Sequence, residues 1–162
     1  MTTGRVQNAA TDRTIEGWLA QAHPVPERAI DEWSAQGLAL LPMGRTFAAV
    51  RIPAVIVHAA VGTDNADQVA GAFAELLDGP VIHDSSGALY YALIQWHAGV
   101  IWDQGDDVPC LALAHYLGVP RMCRQDPPGS YWTVPPRFDG DLCAPASVAA
   151  LVAIGRDRIP QD

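Results

Sequence analysis

Asp103, Asp106 and Asp107 crowd one short stretch, WDQGDD. Clustered carboxylates on a loop suit hard divalent cations such as Mg²⁺ or Ca²⁺, which take oxygen ligands. A solvated acidic loop held by Trp102 explains the same residues, and the stretch lacks the complete ligand spacing of a recognised calcium loop. Cys110, His115, Cys123 and Cys143 supply ligand types for tetrahedral zinc, but structural zinc sites bring their ligands in close pairs and these are spread apart. Buried free thiols account for them more simply. His83-Asp84 beside Ser85-Ser86 offers the residue types of an acid–base or nucleophilic site. Strand neighbours point to opposite faces, however, so adjacency makes no dyad, and a polar turn with one satisfied histidine is the simpler reading. His58, His97 and His115 stand in no motif.

Two further groups of side chains could bind. Arg45 and Arg51 flank the stretch LPMGRTFAAVRIPAV and could hold a phosphate or a partner carboxylate through bidentate forks; ordinary surface ion pairs are the alternative. Tyr91 and Trp132 are the aromatic candidates beside them. Trp96, Trp102, Tyr116, Tyr131 and Trp132 could line a stacking platform for bases, or serve the commoner ends of core packing and protein interfaces. Charge weighs against nucleic acid: the net charge is −8 and all ten basic residues are arginine, whereas phosphate binding needs clustered positive charge. The absence of lysine also excludes Schiff-base chemistry and a P-loop lysine.

The elements that must position these residues read as one domain. A chain of 162 residues with 49% hydrophobic and 17% charged residues can bury a real core. We expect a flexible segment over 1–10, a single domain over 11–156 and a tail over 157–162. Asp12 is a candidate N-cap for a helix to about Ala22, with Ile15, Trp18 and Leu19 on one stripe. Pro26, Glu27 and Gly37 bound a second helix, with Ala29, Ile30 and Trp33 on one face. Leu38–Leu41 and Thr46–Ile52 read as two strands of a hairpin about Met43-Gly44-Arg45, ended by Pro53. Residues 54–60 are ambiguous between helix and strand. Thr63 or Asp64 caps a helix with Val69, Ala72, Phe73, Leu76 and Leu77 at helical spacing, closed by Gly79-Pro80. Val81–His83 and Leu89–Ile94 flank Asp84-Ser85-Ser86-Gly87 as a hairpin. Cys110–Ala114 and Tyr131–Val134 read as strands, and Pro145 opens a last helix. The three cysteines suggest no disulfide framework, and the N-terminus shows no apolar core of a signal peptide, so a cytoplasmic location is expected. No stretch approaches the length of a membrane span.

Three segments in order, LPMGRTFAAVRIP at 41–53, GPVIHDSSGALYYAL at 79–93 and GSYWTVPP at 129–136, resemble the N-terminal domain of bifunctional primase-polymerase proteins in a divergent form. The resemblance covers roughly 28–136 and lies in the order and spacing of the segments. It implies an α+β fold with a central mixed or antiparallel sheet flanked by helices. In active members the strand matching Phe47–Pro53 carries metal-binding acids, and the second hairpin strand carries a histidine for the incoming nucleotide. Here the first offers Ala48, Ala49 and Arg51, and the second Ala88 and Leu89.

Those replacements set the functional expectation. The chain reads as a primase-polymerase-like domain without the catalytic acids, using no cofactor and working by binding another protein, by self-association or by regulation. A nucleotide or single-strand binder using Arg45 and Arg51, and an enzyme with a metal or acid–base site relocated to Asp103, Asp106, Asp107 or His83, are the alternatives.

Overall fold

In the computed structural model the described residues are 3–160, with side chains described from residue 10 onward. The expected flexible segment and tail fall partly on residues 1, 2, 161 and 162, which lie outside them. The fold is α+β. Helix α1 spans Thr3–Ala20 and α2 spans Pro26–Gln36; they precede strands β1, Leu38–Pro42, and β2, Phe47–Pro53. Helices α3, Ala54–Val61, and α4, Ala66–Leu76, follow, then strands β3, Val81–Asp84, and β4, Leu89–Gln95. A 3₁₀ turn over Trp96–Val100 leads to β5, Cys110–Leu111, then β6, Tyr116–Pro120, β7, Ser130–Val134, and helix α5, Pro145–Arg158.

Five strands form one antiparallel sheet in the order β5-β2-β4-β3-β7, and β1 pairs with β6 in a separate two-stranded sheet. Alternation of side chains along the strands gives the large sheet two apolar faces. Val50, Ile52, Val81, Tyr90, Ala92 and Ile94 pack under α3, α4 and α5. Phe47, Ala49, Ile82, Leu93 and Trp132 pack under α1, α2 and the small sheet. Trp33 of α2 ties that second layer down, its indole N–H donating to the Val119 carbonyl at 2.8 Å.

Several expectations change. The hairpin across Met43-Gly44-Arg45 does not form: β1 pairs with β6, and both edges of β2 are taken by β4 and β5. Gly44 has φ +92 and lies against the backbone of Leu113, where an added Cβ would come within 2.5 Å of an amide nitrogen. The Met43 amide bonds the His115 carbonyl, so the chain passes from one sheet to the other at this point. Helix α1 starts at Thr3, so Asp12 lies inside it and caps nothing. Ile30 faces solvent, because the buried stripe of α2 runs through Ala29 and Trp33. Asn65 caps α4 in place of Thr63 or Asp64, its carboxamide oxygen accepting from the Gln68 amide at 3.0 Å, and Leu76 is exposed. The strand expected over 110–114 stops at Leu111 because Ala114 takes φ +73 in a turn. The ambiguous segment after Pro53 is helix α3. No described helix is long and apolar enough to cross a membrane.

Candidate functional site

Register places Arg51, Tyr91, Ile82 and Trp132 in one row across β2, β4, β3 and β7. Three of the four expected binding residues thus share a face of the sheet, while Arg45 is exposed on the loop before β2. Proximity does not make them a pocket. Trp132 is 1% exposed and its indole N–H donates to the Pro120 carbonyl at 2.9 Å, so the ring is a core element. Tyr91 is half-buried, and burial pushes its phenol above the ordinary value, with Asp84 adding and Arg51 opposing. The residues of β2 that the family resemblance would have as acids, Ala48 and Ala49, are both 0% exposed and closed over by the two hydrophobic layers. These residues do not fit a divalent metal: a methyl group offers no oxygen ligand, and the next polar side chain on the strand is a cation.

The other candidates are dispersed. Asp107 pairs with Arg156 of α5, and the Trp102 indole donates to the Val108 carbonyl, fixing the loop from inside. Asp103 lines a small apolar pocket of about 190 Å³ with Ala98 and Trp102. Asp106 is exposed. Among the described residues no group of three or more His, Cys, Asp or Glu side chains is placed to hold a metal ion, and this covers Cys110, His115, Cys123 and Cys143. Cys143 is buried against the Pro80 carbonyl and its thiol is pushed up to about 12, chiefly by desolvation; the same cause pushes Cys110 up to about 11. Cys123 is exposed. A thiol reagent at about pH 7.5 is expected to label Cys123 rapidly and the other two only on unfolding; rapid labelling of more than one thiol per native chain contradicts the packing. Of the aromatics, Trp96 and Tyr116 are exposed, while Trp102, Tyr131 and Trp132 are buried or half-buried in different places, so they form no common platform.

His83 is the exception, with a setting that sequence motifs did not announce. One register step from the first row, Ile52, Tyr90, His83 and Tyr131 form a second row on the opposite face. The His83 ring stacks on Tyr90 at 4.1 Å with 6° between planes, and its Nδ1 lies 2.9 Å from the Tyr131 hydroxyl. His58 of α3 completes the group, its Nε2 lying 3.0 Å from the Tyr90 hydroxyl. Asp84, Ser85 and Ser86 take no part: the Asp84 carboxylate accepts from the Ser86 and Gly87 amides, and the Ser85 hydroxyl donates to the Gly129 carbonyl. The Asp-Ser-Ser cluster is therefore a turn, and His83 has no carboxylate partner that would make it a strong base.

Burial lowers the His83 pKa from its ordinary 6.5, His58 lowers it further, and Asp84 opposes. Burial likewise pushes Tyr90 up to about 12 and raises Tyr131. His83 and both phenols are thus held neutral near pH 7, and the network joins α3 to the sheet. Because His83 is depressed in the folded chain, the unfolded chain takes the proton first as pH falls. The stability this histidine contributes is complete above about pH 6.5 and is lost as pH drops through its folded value. Between about pH 7 and pH 5 the native chain is expected to lose more stability to urea than a His83→Phe variant does. Parallel pH profiles for the two would remove this account of His83.

A groove of about 990 Å³ runs along the β7 border of the large sheet. Its walls are Asp12 and Ile15 of α1, Ala66, Asp67 and Ala70 of α4, the loop carrying Met122, Cys123 and Asp126, and β7 with Pro135 and Pro136. Tyr131 lines it too, which connects the groove to the His83 network. Sequence reasoning missed this site because four separated segments build it. Comparison with protein-family models, with curated proteins and with solved structures finds no match to this chain.

Proposed function

We propose that this chain is a primase-polymerase-like domain without polymerase chemistry, acting in the cytoplasm as a protein-binding module through the groove beside β7. The observation that carries the reading is the contrast between two places on one sheet. At β2, where the resemblance would have metal-binding acids, Ala48 and Ala49 are sealed between aliphatic layers. At β7, three strands further across and about 14 Å away at ordinary strand spacing, the surface opens into a groove large enough for several side chains of a partner. Loss of the chemistry with survival of a shaped surface favours binding over catalysis; the link to the family is an analogy of pattern.

Cys123 makes the test practical, since it lines the groove and is the exposed thiol among three. A photo-reactive crosslinker attached there is expected to capture one protein stoichiometrically from a lysate of the source organism. The same probe on a Ser34→Cys, Cys123→Ser variant, whose thiol lies on the exposed side of α2, should not capture it. Capture of nothing from Cys123, or equal capture from both positions, removes the proposal.

A further inference from the structure

The groove has a charge and an apolar lining that bear on its occupant. Asp12, Asp67 and Asp126 all line it, from α1, from the first turn of α4 and from the loop before β7. None of the three makes an ion pair among the described residues. The cation on the groove wall, Arg137, is already committed: its guanidinium bonds Asp78 at 2.8 Å and the buried Asp141 at 2.9 Å. Burial also raises the Asp12 carboxyl, as happens to a desolvated acid with no cation beside it.

The apolar lining complements the acids, and one polar atom of the wall is not available to a guest. The register of β7 against β3 shifts between the Val134 and Trp132 pairings, which leaves Thr133 with no residue opposite it. Thr133 lines the groove, and its hydroxyl oxygen is buried without a hydrogen-bond partner. Buried polar atoms are nearly always paired, but this oxygen presents almost no surface to the groove, so it marks the break in the β3–β7 ladder and is no contact for a guest. Between these polar points the walls are apolar, with Ile15, Ala66, Ala70, Met122 and Trp132, a surface that suits the aliphatic stems of long basic side chains.

Building on the binding reading above, we infer that the groove takes an arginine- or lysine-bearing segment of a partner protein. Guanidinium or ammonium groups supply the positive charge that the three carboxylates lack. Nucleic acid is the wrong sign for this surface, on a chain of net charge −8. A bare divalent ion is also a poor occupant, since the described carboxylates do not converge as a ligand set.

The probe is a fluorescein-labelled peptide of alternating arginine and valine, with a glutamate–valine peptide as its opposite, read by anisotropy against the full chain. The basic peptide is expected to bind saturably and the acidic one not at all. Combined Asp12→Asn, Asp67→Asn and Asp126→Asn substitutions should weaken the basic peptide at least tenfold. The same change of charge made elsewhere, at Asp31, Asp103 and Asp106, which are exposed and do not line the groove, should weaken it less than about threefold, because solvent and salt screen exposed charges that make no contact with the peptide. Equal losses from the two sets, or no binding to the native chain, overturn the inference. If the groove variant fails to fold, a photo-leucine version of the basic peptide on the native chain decides: crosslinks at 11–15, 66–70 and 122–137 support the assignment, and crosslinks elsewhere overturn it. The Cys123 capture separates the two levels. A partner caught through a segment without basic residues sinks this inference and leaves the binding module standing; no partner caught sinks the module itself.

Discussion

Replacing Gly155 with alanine is expected to lower the melting temperature by about 6–12 °C, equivalent to about 3 kcal/mol for a domain of this size. Helix propensity alone points the other way, because alanine is favoured over glycine by about 1 kcal/mol in a helix interior. Sterics decides the sign. A Cβ at 155 would sit 2.2 Å from the Ile56 carbonyl oxygen and 2.7 Å from Ile56 Cγ2, and the first of these is backbone that no rotamer change can move. Gly155 is the point at which α5 closes on α3. Gly71 in α4 is the control, since it is exposed and nothing lies within 4 Å of its added Cβ. Gly71→Ala should therefore raise stability by up to about 1 kcal/mol. Thermal melts of both variants check the pair, and a stabilised Gly155→Ala would mean that α3 and α5 do not pack as described.

Trp132→Ala should cost about 3–5 kcal/mol, the range for emptying a large aromatic from a core. Its ring is 1% exposed among Phe47, Ile82, Leu93 and Met122, so truncation leaves a cavity that the surrounding sheet cannot close. Trp132→Phe separates the two contributions of the indole. It keeps most of the apolar area but leaves the Pro120 carbonyl without its donor, at a cost of about 1–3 kcal/mol. Urea unfolding measures both. A Trp132→Ala change within about 0.5 kcal/mol is what a surface residue would give, and it would contradict a core placement.

The same tryptophan shows where sequence reasoning stopped. Its type suggested a binding residue, and only the pairing of Ile82 with Trp132 turns it inward. Local signals served well: Pro26 and Gly37, which takes φ +74, bound α2 as read, and the turn over 84–87 joins β3 to β4. The pairing of β1 with β6 was not legible, because Leu38–Pro42 and Tyr116–Pro120 meet across about half the chain and neither carries a mark of the other. Residues 54–61 are rich in valine and isoleucine, which favour strands, and form a helix because α5 packs against them through Gly155. The stacking of His83 on Tyr90 was within reach, since the turn fixes that hairpin's register. The contribution of His58 was not, because its contact crosses from a helix to the sheet.

The central claim is that β2 offers a divalent ion no oxygen ligand, because Ala48 and Ala49 are sealed between two apolar layers. Its most direct test follows the melting temperature of the purified chain as Mg²⁺ or Mn²⁺ is titrated, with primer extension assayed on the same preparation. A specific site saturated a hundredfold above its dissociation constant adds about 2.7 kcal/mol of stability. We expect no saturable rise in melting temperature and no extended primer. A saturable rise of several degrees, or an extended primer, contradicts the account.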